Sequence, residues 1–142
     1  AQVVHGDFNP MNVLVDPAAP TRVAGVIDFG DCVRTRRVND LAIACAYDLD
    51  DDRGPLHRAA ELAAAYHRVN PLLDEELALL PDLVATRVAT GVALNTFLAS
   101  LQPGNTDYVL ANHPRSFRGL SRLAALSPDE AVSTFTRAAG RN

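Results

Sequence analysis

His5-Gly6-Asp7-Phe8-Asn9-Pro10-Met11-Asn12 runs directly into Val13-Leu14-Val15-Asp16, and Arg22-Val23-Ala24-Gly25-Val26-Ile27-Asp28-Phe29-Gly30-Asp31 follows. These residues decide how the chain folds. Asn12–Asp16 and Arg22–Ile27 are rich in β-branched residues and read as strands. Pro17-Ala18-Ala19-Pro20 between them reads as a turn, so the pair makes a hairpin. Such a hairpin carries Asn12 at one end and Asp28 at the other, bringing both to one edge. Gln2-Val3-Val4 is a short strand leading into the loop at His5. Gly6 permits a tight backbone there, and Pro10 favours an extended approach at Asn9.

The loop residues have a chemical reading. Phosphoryl transfer needs a carboxylate to accept the proton of the attacking hydroxyl, and oxygen ligands to hold Mg²⁺ on the nucleotide phosphates. The kinase catalytic loop reads His-Arg-Asp, four further residues, then Asn. Asp7 and Asn12 stand at that spacing with Gly6 in place of Arg, and Asp28-Phe29-Gly30 follows in the right order. Asp7 is therefore the candidate base, and Asn12 and Asp28 are the candidate ligands of the metal and its nucleotide. Asp31 either supports a second metal or bonds backbone amides of its own loop. His5, before a glycine, reads as structural support for the loop rather than as a ligand.

The resemblance extends past these motifs. His5 to Asp16, Gly25 to Asp31, Asn39-Asp40-Leu41-Ala42-Ile43-Ala44 and Gln102-Pro103-Gly104-Asn105 resemble the aminoglycoside phosphotransferase and choline kinase superfamily. The likeness is greatest to its hydroxylysine kinase-like members and covers only the C-terminal half of such a kinase. It implies a mostly helical C-terminal lobe of a protein-kinase-like fold. It implies Mg²⁺, ATP or GTP as donor, and a hydroxyl acceptor on an amino alcohol, a hydroxy amino acid or an aminoglycoside. For Asp40 it implies an acid that braces the catalytic loop from below.

Composition narrows the classes. The 142 residues amount to one domain, 48% hydrophobic and 21% charged, which is enough apolar content for a core. A net charge of −4 argues against a nucleic-acid surface, because phosphate neutralisation needs clustered cations. No run of 18 apolar residues is present, so no membrane partner is expected. No signal peptide opens the chain, and a cytoplasmic location is expected. Cys32 and Cys45 have no metal or disulfide spacing and read as reduced, packed thiols. The start at Ala1, without Met and just ahead of the best motif, reads as a fragment of something longer.

The rest reads as helices. Asn39-Asp40 opens one at Leu41 that runs to about Asp48, and Leu56 to Val69 is amphipathic. Asp74 caps a short helix ending at Leu80, and Pro81 starts another over about Asp82 to Leu101. Helices near Pro114 to Leu126 and Pro128 to Ala139 close the chain, the last capped by Ser127. Arg87 interrupts an apolar helix and is either paired inside the fold or turned to the substrate cleft. Arg34, Arg36 and Arg37 form either a solvated basic loop or a phosphate contact. Asp48-Leu49-Asp50-Asp51-Asp52 is either a solvated loop or a patch for an amine-bearing substrate. His57, His67 and His113 share no metal spacing and read as surface or helix-face residues.

The fold class is thus α+β, mostly helical, with one small β-hairpin holding the chemistry. The nucleotide clamp is missing from it. All 13 cationic residues are Arg, no Lys occurs, and the eight glycines never form Gly-x-Gly. The resemblance places those parts in an N-terminal lobe upstream of Ala1. Residues 1–142 are then the catalytic-loop lobe alone, expected to be inactive by itself and to self-associate through the face that the missing lobe would cover. The alternative is a non-catalytic binding or assembly module derived from a kinase. A metal-dependent phosphohydrolase would share the acidic chemistry but not the Asp7 to Asn12 spacing.

Overall fold

The hairpin forms from Val13–Asp16 (β2) and Ala19–Val26 (β3), paired antiparallel with Val13 opposite Val26. Its turn is tighter than the sequence suggested, because Ala19 and Pro20 already belong to β3. Register shifts between Leu14 and Asp16 absorb the extra residues of the longer strand. The expectation of a single hairpin is incomplete. Gln2–Val4 (β1) pairs antiparallel with Val33–Thr35 (β4), a strand not anticipated, with Val4 opposite Val33. Two two-stranded sheets therefore flank the loops that carry the motif residues. The computed structural model describes residues 1–49 and 52–141.

Six helices follow. Arg37–Ala46 (α1), His57–Val69 (α2), Asp74–Leu101 (α3), Thr106–Leu110 (α4), His113–Ala124 (α5) and Pro128–Ala138 (α6) make the chain mostly helical, a mixed α+β architecture. The core lies among α1, α2, α3 and α6. Val38, Leu41 and Cys45 meet Ala59, Ala63, Leu77, Leu80, Val84 and Phe135 there. In α2 the buried positions Ala59, Ala60 and Ala63 recur at helical spacing, and small side chains let the helices approach closely. Leu56 is fully buried at the start of α2 although its φ is +66°, so packing holds it in a conformation costly for a bulky residue.

Three boundaries differ from the sequence expectation. α1 starts at Arg37, so Asp40 sits in its first turn and does not cap it. The two helices expected on either side of Pro81 are one, with Pro81 inside α3. A proline there removes one helical hydrogen bond, at a cost of ~3 kcal/mol. The buried Leu77, Leu80 and Val84 around it keep the two halves in line. Before α5, the chain makes the short helix α4, which has no buried residue and no strong sequence signal. Asp74, expected as a cap, is instead the first residue of α3 with Leu73 as the N-cap, whereas the cap expected at Ser127 is present. Ser127 Oγ accepts from the Glu130 amide at 3.3 Å, and the Glu130 carboxylate accepts from the Ser127 amide at 2.9 Å.

By length and composition α3 is long and apolar enough to cross a bilayer, although polar residues interrupt its sequence. One face of it packs into the core through Leu77, Leu80, Val84 and Val88, whereas Leu94, Phe97 and Leu101 near its C-terminal end are exposed. A second set of exposed apolar side chains, Met11, Val23, Ile27, Phe29 and Val33, lies on the strands and loops around the motif residues.

Arg37 fastens α1 to the α2–α3 junction. Its guanidinium donates to Glu76 Oε1 and Oε2, to Asn70 Oδ1 and to the Pro71 carbonyl. The hydrogen bond to Arg37 holds the Glu76 carboxyl below its ordinary value against the opposing effect of burial. Arg37 is thus a structural clamp, and the idea that it contacts a phosphate is corrected. Asp50 and Asp51 of the acidic run lie outside the described residues. Asp48 faces Arg58 at 3.7 Å and Arg115 at 3.6 Å, so it is already matched by cations.

Candidate active site

The loop from His5 to Asn12 is held from several sides. Gly6 has φ +85°, and a Cβ there would lie 2.1 Å from the Asp31 carbonyl oxygen. Only glycine allows the two loops to approach this closely. The Gly6 amide donates to Asp40 Oδ1 at 2.8 Å, which ties the loop to α1. The buried His5 ring donates from Nε2 to the Ile27 carbonyl at 2.9 Å, and its Nδ1 accepts from the Asp7 amide at 3.4 Å. His5 also touches Phe8 edge-on and Phe29 at a tilt, with ring centres 5.7 and 5.0 Å away. His5 therefore connects the loop ahead of β2 to the one after β3.

Asp7 is fixed by asparagines. Asn12 Nδ2 donates to the Asp7 carbonyl at 2.9 Å. Asn9 Nδ2 donates to Asp7 Oδ2 at 2.8 Å, and Asn9 Oδ1 accepts from the Met11 amide at 2.9 Å, capping the 3₁₀ turn at Pro10–Asn12. Asn9 was not among the candidate residues. Its position, two residues after the acid and just before a proline, is the signal that could have found it. The other Asp7 oxygen, Oδ1, accepts from Arg87 Nη2 at 3.3 Å. Arg87 comes from α3, so it is both paired and at the site. Tyr47 lies close by: burial, helped by the Asp7 charge and opposed by Arg87, pushes its hydroxyl above the ordinary value.

Asn12 and Asp28 are brought side by side. The Ile27 amide donates to the Asn12 carbonyl at 3.0 Å, extending the β2–β3 ladder to the residue before Asp28. Asp28 then adopts a left-handed backbone with φ 64°, which turns the chain sharply into the 3₁₀ turn at Phe29–Asp31. Non-glycine residues in that region concentrate at functional sites, with Asp among those that tolerate it best. Asp28 and Asp31 are exposed, while Asn12 is buried. Among the described residues no three His, Cys, Asp or Glu side chains gather into a ready-made metal cluster. The donor chemistry present fits Mg²⁺ nonetheless. That ion takes oxygen ligands and is usually held by one or two carboxylates together with substrate phosphates. Asn12 gives its amide N–H to Asp7, which leaves the amide oxygen for a cation, and Asp28 adds a carboxylate.

Next to Asp7 a pocket of about 100 Å³ opens between the end of α1, α3 and α5. Tyr47, Arg87, Asn95, His113 and Ser116 are among its walls. Cys45 is fully buried, donates to the Ala59 carbonyl at 3.4 Å, and has its thiol pushed up to about 12 by burial. Cys32 is exposed beside Asp31, against the expectation of a packed thiol.

Hydroxylysine kinase from Danio rerio is 33% identical over 128 residues, covering 89% of this chain and 36% of that protein. The hydroxylysine kinases of Xenopus laevis and Mus musculus are 29% and 27% identical, each over 84% of this chain and 34% and 33% of their own length. The chain thus spans about a third of the length of the curated relatives it matches. No solved structure matches it. The family model described as the phosphotransferase enzyme family matches residues 1–80, the span that holds the His5 to Asn12 loop, both strand pairs and Asp28. On that match the chain belongs to the phosphotransferase enzyme family.

Proposed function

We propose that residues 1–142 are the catalytic-loop lobe of a small-molecule kinase with a protein-kinase-like fold, transferring the γ-phosphoryl group of ATP or GTP to an alcohol. The acceptor is an amino alcohol, a hydroxy amino acid or an aminoglycoside, and the relatives named hydroxylysine kinase support the hydroxy amino acid among these. The observation that carries this reading is Asn12, whose side-chain amide donates to the Asp7 carbonyl while its backbone carbonyl accepts from the amide of Ile27, the residue before Asp28. These bonds support a reading in which Asp7 as base and Asn12 and Asp28 as oxygen ligands share one pair of linked loops.

In this reading Asp7 Oδ2, oriented by Asn9, takes the proton as the acceptor oxygen attacks the γ-phosphorus. The bond from that phosphorus to the β–γ bridging oxygen breaks, and the nucleoside diphosphate leaves. Asn12 and Asp28, with Asp31 nearby, would hold Mg²⁺, which would supply charge neutralisation on the phosphates. His5 and Asp40 act on the reaction only by positioning the loop. The residues present lack a glycine-rich phosphate loop and any Lys, so the clamp for the nucleotide has to come from elsewhere in the assembly. The isolated chain should then be inactive, which is also what a non-catalytic binding module would show.

The experiment is Asp7→Asn in the full-length gene product. Turnover should fall ~10²–10⁴-fold, the usual effect of removing a general base, with nucleotide affinity nearly unchanged. Turnover within a few-fold of the parent removes Asp7 from the mechanism.

A further inference from the structure

The pocket beside Asp7 has an unexpected charge. Neither Asp nor Glu is among its lining residues, whereas Arg87, Arg115 and His113 are. A site built for an amine would show the reverse pattern. The two guanidiniums are only partly committed. Arg87 gives Nη2 to Asp7 at 3.3 Å, and Arg115 lies 3.6 Å from an Asp48 oxygen that Arg58 approaches as well. Each guanidinium has five N–H donors, so most remain for a ligand. His113 Nε2 is buried with no hydrogen-bond partner, although its ring packs edge-on against Phe117. The pocket also holds the side chains of Asn95 and Ser116. Among the described residues neither makes a side-chain hydrogen bond. A small concavity lined by two guanidiniums and a few further polar residues is a usual form of a ligand site.

Arg87 joins this pocket to the candidate base, since the same side chain lines the one and bonds the other. We propose that the pocket is an acceptor subsite selective for a carboxylate-bearing alcohol, in which Arg115 and His113 hold the acidic group while the acceptor's hydroxyl reaches Asp7. This rests on the kinase reading above and narrows its acceptor to the hydroxy acids, against simple amino alcohols and aminoglycosides. Arg115 is the group that discriminates. It is half exposed and its ion pair is long, so its loss should not unfold the protein.

The test compares 5-hydroxylysine with its decarboxylated counterpart, 2-hydroxy-1,5-diaminopentane, on the full-length gene product. Binding is read by calorimetry and turnover by nucleoside diphosphate release. A charge-assisted hydrogen bond to the carboxylate should make the amino acid bind ~10- to 100-fold more tightly. Arg115→Gln should erase most of that ratio, Arg115→Lys should restore part of it, and His113→Gln should reduce it, with melting temperatures unchanged throughout. A merely structural role for Arg115 would weaken both compounds alike and leave the ratio intact. Equal binding of the two compounds, tighter binding of the diamine, no binding of either, or a ratio unmoved in Arg115→Gln overturns the subsite. Selective binding without phosphoryl transfer would instead overturn the kinase reading and leave the subsite standing.

Discussion

Replacing Gly6 by Ala tests the close approach on which the whole site depends. Two costs follow from the structure. The residue has φ +85°, a left-handed conformation that costs a residue with a Cβ about 1–2 kcal/mol. The new Cβ would also lie 2.1 Å from the Asp31 carbonyl oxygen, so the backbone of one loop has to move by about an ångström or more. Overpacking of that kind costs roughly 1–3 kcal/mol. Together these give a loss on the order of 2–5 kcal/mol, a large fraction of the ~5–15 kcal/mol that holds a typical domain. With a urea dependence of about 2 kcal/mol per molar, the unfolding midpoint should fall by roughly 1–2.5 M. Gly104→Ala is the control, because nothing lies within 4 Å of its added methyl group and its φ is not positive. The Asp31 loop should yield before the fold does, so Mg²⁺-dependent nucleotide affinity should drop in the Gly6 variant at temperatures where it is still folded. A midpoint indistinguishable from that of Gly104→Ala, with nucleotide affinity intact, would refute the reasoning.

Three further expectations follow from the same structure. Asp28→Ala should weaken Mg²⁺-dependent nucleotide binding more than Asp31→Ala, because Asp28 directly follows the residue bonded to Asn12; equal losses in a Mg²⁺ titration would contradict that order. The Glu76 carboxyl is held below its ordinary value by Arg37, so the pair's contribution is complete above the usual glutamate range and fades as pH falls through the lowered value. Stability against pH should accordingly decline below about pH 4, and Arg37→Met should flatten that decline; parallel curves for parent and variant would count against it. Residues 1–142 made alone should show no phosphotransfer and should self-associate through the apolar side chains around Met11, Phe29 and Val33; a clean monomer in sedimentation, or Asp7-dependent activity, would overturn this.

The parts of the site that lie within one loop were legible in the sequence, and the parts that cross the fold were not. Gly6, Asp7 and Asn12 precede one hairpin and Asp28 follows it, and turn chemistry with β-branched runs is enough to bring them to its one end. Arg87 meets Asp7 across 80 residues, a contact that no local pattern encodes. The pairing of β1 with β4 was hidden for a similar reason: each strand is three residues long, and nearly thirty residues separate them. Pro81 misled because a proline after an apolar run is as good a helix start as a helix break, and the tertiary packing of Leu77 and Val84 decided the matter. Arg37 looked like part of a loose basic cluster because its partners, Glu76 and Asn70, lie beyond the next helix.

The two cysteines differ in a way that makes the chain report on its own fluctuations. Cys32 stands in solvent beside the Asp31 turn, whereas Cys45 is sealed between α1 and α2 with a thiol that ionises only near 12. A colorimetric disulfide reagent should therefore consume one equivalent at once and a second only as α1 lifts from α2. The slow phase, divided by the rate of a free thiol at the same pH, measures the opening equilibrium of the core with no denaturant present. The same vial can be read again after adding nucleotide or acceptor. Any slowing of that second phase would express ligand affinity in the protein's own breathing, measured away from the pocket and without turnover.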